Sequence, residues 1–216
     1  MNRRLLAEWL GALLLAAAVV GSGIMAERLA GGNQAVALLA NTAATVLALA
    51  VLIGTLGPVS GAHLNPAISL VAVLRRDLSF PEGAAYATVQ VLGCCAGAVL
   101  ANVMFELPAF EASTTVRAGP AQWLSEFVAT AGLVLVVLTS PSVREAAWRV
   151  AAWIGAAYWF TASTSFANPA ITIARSMSDT FAGIRPADVP AFVMAQVAGG
   201  LAGMLLVGAL AHRSRS

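Results

Sequence analysis

An all-α integral membrane fold, with six transmembrane helices and two re-entrant half-helices in an inverted repeat, is what three features of the sequence predict. The 216 residues are 59% hydrophobic and only 10% charged, with a mean hydropathy of +0.83, a composition suited to lipid and not to water. Two Asn-Pro-Ala triplets, Asn65-Pro66-Ala67 and Asn168-Pro169-Ala170, each open an apolar stretch too short to span a bilayer. The features of the first half also return, in the same order, in the second.

The crossings follow from length. About 30 Å of hydrocarbon takes roughly 20 apolar residues per helix, and six such segments lie at 5–25, 35–56, 82–105, 122–140, 146–165 and 187–211. The first is long for a signal peptide, carries Glu8 and is echoed later in the chain, so it reads as a crossing that stays. One membrane domain, 1–216, accounts for the whole length, with halves at about 1–110 and 111–216. Two shorter stretches, 66–74 and 169–177, follow the second and fifth crossings and read as re-entrant half-helices.

The repeat is explicit in the residues. "AEWLGALLL" around Glu8 parallels "SEFVATAGLVL" around Glu126, "LNPAISL" parallels "ANPAITI", and "QVLGCCAG" from Gln90 parallels "QVAGGLAG" from Gln196. Three crossings per half make the second copy enter from the opposite side, which inverts it. Arg3, Arg4, Arg75, Arg76, Arg144, Arg149, Arg213 and Arg215 fall on the side of the termini, against Arg28, Arg117, Arg175 and Arg185 opposite. The positive-inside rule then places both termini in the cytoplasm.

Irregular backbone at membrane depth is tolerated where protein or water satisfies it, so the two breaks should meet along an aqueous path. Pro66 and Pro169 at the first helical position lose no needed hydrogen bond, and Asn65 and Asn168 become N-caps. The two positive helix ends face each other with Asn amides beside them. That field repels cations and favours neutral hydrogen-bonding solutes.

Glu8 and Glu126 read as acceptors for the free backbone of the broken loops, the other reading being a proton relay in a proton-coupled transporter. Gln90 and Gln196 precede Gly93, Gly97, Gly199 and Gly203 at small-xxx-small spacing and read as helix packing. His63 reads as a loop-bonding or vestibule residue in preference to the base of a Ser60–His63 hydrolase dyad. Adjacent Cys94 and Cys95 suit buried thiols better than a disulfide or metal site. No cofactor or metal is expected, and a net charge of +2 does not point to nucleic acid.

"SGAHLNPA" and the second "NPA" resemble the major intrinsic protein family of aquaporins and aquaglyceroporins, over essentially the whole chain. The resemblance implies a cofactor-free channel for water and small neutral solutes in a lipid bilayer, a homotetramer with one pore per protomer, and no enzymatic activity. It also implies a second filter outside the Asn pair, carried by ungapped spacing onto Thr45, Ala156, Ser165 and Ile171. The family usually has arginine where Ile171 stands, and the next arginine here, Arg175, is one turn later. None of the four residues is aromatic or histidine, which predicts a wider, less charged constriction than in a water-selective member. Arg175 either supplies charge from the vestibule or pairs with Asp179.

"ITIARSMSDTFAGI" further resembles a bacterial subgroup associated with arsenic resistance, which implies passage of neutral As(OH)3 beside glycerol. Thr172 stands where glycerol channels often carry aspartate. Compact loops and short tails suit a bacterial inner membrane. A junction protein without a pore is a further reading that the family allows.

Overall fold

The structure, a computed structural model, describes residues 2–212; Arg213 and Arg215 of the charge count lie outside the described residues. Eight α-helices appear among them: α1 Arg3–Leu29, α2 Gln34–Ser60, α3 Pro66–Leu74, α4 Phe80–Met104, α5 Pro120–Thr139, α6 Val143–Phe160, α7 Pro169–Arg175 and α8 Val189–His212, the last preceded by a 3-10 turn at Pro186–Asp188. No strand occurs among the described residues.

Local chemistry sets the starts. Asn33 caps α2 through its side chain, Ser79 and Glu82 form a reciprocal capping box on α4, and Ser142 caps α6. Pro120 occupies the first position of α5, where its missing N–H costs nothing. Three ends lie four or more residues from expectation, α1 among them because it runs on to Leu29. α2 runs on to Ser60 through Pro58, whose lost hydrogen bond falls in the last turns, and α6 stops at Phe160 instead of near 165 because the chain must turn into the second broken loop.

Four of the long helices and the 186–211 segment are long and apolar enough to cross a membrane. The sixth, α6, is 18 residues long and holds Arg144, Glu145 and Arg149 in its first two turns, with Arg149 bonded to Glu145 at 2.7 Å. Large exposed apolar side chains such as Leu39, Leu47, Val51, Leu92 and Leu205 mark an apolar outer surface suited to a membrane.

Packing repeats between the halves. α1 lies against α4 as α5 lies against α8, α2 meets α6 where the halves join, and α3 and α7 sit inside the ring. Gly93, Gly97, Gly199 and Gly203 allow the two main contacts: a Cβ at each would overlap a backbone carbonyl oxygen, those of Trp9, Leu13, Phe127 and Ala131 respectively. Without a hydrophobic drive between helices in lipid, such backbone approach is what holds them. Gly97→Leu is therefore expected to destabilise the detergent-solubilised protein by about 3 kcal/mol or more, since overpacking against rigid backbone has no flexible neighbour to yield. A thermal midpoint within 2 °C of wild type, on the scale of about 2–4 °C per kcal/mol at this size, would show that α1 and α4 can separate without cost.

Candidate functional site

The two half-helices start at the centre of the protein, face to face. Asn65 accepts from the Ala67 N–H at 2.9 Å, and Asn168 accepts from the N–H groups of Ala170 and Ile171 at 3.0 and 3.4 Å. Each side-chain amide also crosses to the other loop. Asn65 Nδ2 donates to the Ala167 carbonyl and Asn168 Nδ2 to the Leu64 carbonyl, both at 2.8 Å. An amide has two N–H donors, so one on each Asn joins the loops and one is left for the path between them.

The loops feeding these helices carry matched backbone. Gly61, Ala62 and Leu64 have φ of 89°, 46° and 50°, and Thr164, Ser165 and Ala167 have 61°, 50° and 48°. Left-handed backbone at non-glycine residues costs of order 1 kcal/mol or more each and persists only where the surroundings impose it. A carboxylate imposes it in each half. Glu8 accepts from Ser60 Oγ at 2.6 Å, the His63 and Leu64 N–H groups at 3.0 and 2.8 Å and Gln90 Nε2 at 2.7 Å. Glu126 accepts from Ser163 Oγ at 2.5 Å, the Phe166 and Ala167 N–H groups at 2.9 and 2.8 Å and Gln196 Nε2 at 2.6 Å. Both carboxylates are fully buried.

One expectation changes here. Gln90 and Gln196 are members of these networks, donating also to Ser69 Oγ and Thr172 Oγ1, and are not packing residues alone. The alternative Ser60–His63 dyad does not form, because Ser60 Oγ donates its hydrogen bond to Glu8 while His63 Nδ1 lies 3.1 Å from Ser69 Oγ and its ring meets Tyr86 edge-on.

A cavity of about 100 Å³ runs past both Asn side chains. Thr45, Ser165, Ile171, His63 and Arg175 line it, among largely apolar neighbours such as Val19, Leu49, Ile53 and Val150. Ala156 does not line it: the residue is exposed on the outer face of α6. Ile154 and Tyr158 take its place on the wall. They are four residues apart and share a face, whereas Ala156 is two residues from each and about 200° round the helix. Ungapped spacing therefore selected the outer face of the helix. The aromatic that the sequence comparison lacked is Tyr158, whose hydroxyl lies 3.3 Å from Thr45 Oγ1 across the cavity.

Arg175 does not pair with Asp179. Asp179 accepts from the Thr114 N–H at 2.8 Å and from the Thr114 and Ser113 hydroxyls. Arg175 is buried, donates through Nε to the Ala182 carbonyl and stacks its guanidinium over Phe166, 3.3 Å from the ring centroid. Arg117, from the loop between α4 and α5, approaches the same ring at 5.1 Å and donates to the carbonyls of Gly183, Ser163 and Phe181. Burial lowers the Arg117 pKa, opposed by the field of Glu126. Cys94 is buried and Cys95 partly so; both are free thiols.

The chain is 53% identical over 217 aligned residues to aquaglyceroporin AqpS of Rhizobium meliloti (strain 1021), an alignment covering 100% of this chain and 93% of that protein. It is 43% identical over 96 residues to the lens fiber major intrinsic protein of Gallus gallus, covering 44% of this chain and 35% of that one. The X-ray structure of the aquaglyceroporin from Plasmodium falciparum shares the fold, with a TM-score of 0.74 at 20% identity over 94% of this chain and 92% of that chain. The family model for the major intrinsic proteins matches residues 1–158, ending just before the second broken loop. With crossed Asn caps, carboxylate-braced loops and these likenesses together, the chain belongs to the major intrinsic protein family.

Proposed function

We propose that the protein is a passive channel for water and small neutral solutes, glycerol among them, and that it needs no cofactor. The cavity past the two Asn N-caps carries the reading, because its lining combines polar groups with apolar ones. The Thr45, Tyr158 and Ser165 hydroxyls and Arg175 supply the polar part, and Ile171 with its aliphatic neighbours supplies the apolar part. A polyol, with hydroxyls along one side and CH groups along the other, loses little on leaving water there. As(OH)3 presents a similar hydroxyl face and is proposed as a second solute. Against the alternative of a proton-coupled carrier working through Glu8 or Glu126, each of these carboxylates already holds four donors.

The proposed setting is a bacterial inner membrane, with both termini cytoplasmic on the arginine distribution and four copies assembled as the family resemblance implies. Stopped-flow light scattering of proteoliposomes under an inward glycerol gradient tests the function. Reswelling well above protein-free vesicles is expected, and arsenite uptake is measured next. Rapid water flux with glycerol at background would replace this reading with a water-selective one. Ile171→Arg is expected to lower glycerol flux more than water flux, because a long charged side chain takes the place of an apolar one in the cavity lining. Equal loss of both in folded protein would remove Ile171 from the filter.

A further inference from the structure

Arg175 is only 3% exposed, yet it has no carboxylate partner among the described residues. Its Nε is taken by the Ala182 carbonyl, while among the described residues no acceptor receives the two terminal nitrogens. The residue lines the cavity, so those nitrogens are available to it. Ser165 lines the same cavity, and its Oγ is buried without a hydrogen-bond partner among the described residues. Buried polar groups left unsatisfied by protein are uncommon and call for a ligand or water.

The seat of the guanidinium is Phe166. Helical side chains lean toward the helix N-terminus, which brings Arg175 from the last turn of α7 back over a ring that precedes the helix. Desolvated cation–π contact is worth about 2 kcal/mol or more, enough to hold the plane in place of an ion pair. Arg117 meets the same ring but spends its donors on three carbonyls. The two guanidiniums together raise a positive potential at the constriction.

We propose that Arg175, seated on Phe166, is the specificity-determining residue of the pore, binding the oxygens of a neutral diol or oxyacid together with Ser165 and barring cations. Phe166 is its positioning residue. This rests on the channel reading, and the two fail separately: a wild type that conducts no glycerol sinks that reading, whereas a conducting wild type with an Arg175→Leu variant of unchanged selectivity sinks only this one.

The test uses full-length protein in vesicles, with potassium and proton leak and glycerol flux read on each variant. Arg175→Leu is expected to raise cation leak relative to water flux by about tenfold, the loss of about 1.4 kcal/mol of barrier. Phe166→Leu, with the guanidinium unseated, moves the same way by less. Ile171→Arg in the Arg175→Leu background restores cation exclusion by returning a guanidinium to the cavity lining, which a merely structural role would not do. Water flux and the thermal midpoint report folding. Folded Arg175→Leu protein with wild-type cation exclusion overturns the proposal, as does failure of the double variant to restore it.

Discussion

Glu8→Ala and Glu126→Ala are each expected to abolish solute flux by collapsing a broken loop, not by removing a proton carrier. Each carboxylate receives two backbone N–H groups, one serine hydroxyl and one glutamine amide inside the protein. Removing the acceptor strands four buried donors at about 1–3 kcal/mol apiece, beside non-glycine residues held in left-handed backbone. A total near the stability of a typical domain, about 5–15 kcal/mol, leaves little native state. The midpoint of thermal unfolding in detergent should drop by roughly 10 °C or more, at about 2–4 °C per kcal/mol. Glutamine at either place keeps one acceptor but turns an NH2 toward donors, so it should fall between. A Glu→Gln variant that keeps its midpoint but loses uptake driven by a pH gradient would instead identify the carboxylate as a proton carrier.

Tyr158→Ala is expected to admit larger polyols and to raise glycerol flux by about tenfold, the equivalent of about 1.4 kcal/mol off the barrier. The Tyr158 side chain lines the cavity with its hydroxyl toward Thr45, and it is the bulkiest of the α6 residues there, the others being Ala146, Val150 and Ile154. Truncating a buried aromatic also costs about 3–5 kcal/mol of stability, so Tyr158→Phe serves as the companion: the bulk stays, only the hydroxyl goes, and flux should remain near wild type. Ala156→Leu, on the outer face of α6, should change neither. Stopped-flow rates with glycerol and erythritol check all three. Glycerol flux unchanged in Tyr158→Ala, or cut in Ala156→Leu, would return the filter to the position that motif spacing selects.

Sequence by itself determined the class of the protein, its crossings and the places where the backbone breaks. These depend on local or additive properties: apolar length against hydrocarbon thickness, and prolines that preset φ beside asparagines that cap. It also paired Glu8 with Glu126 through the repeat, because like residues at like places in two copies stand out without any coordinates. Tertiary structure alone decided which face of α6 meets the path, and so exchanged Ala156 for Tyr158. In lipid the outer face of a helix is as apolar as the inner one, and the hydrophobic pattern that fixes rotation in a soluble helix is silent. The partners of Gln90, Gln196 and Arg175 were hidden for a related reason. Each long side chain can reach several acceptors at helical spacing, and only the packed arrangement shows Asp179 already taken by Thr114 and the Arg175 guanidinium lying on Phe166.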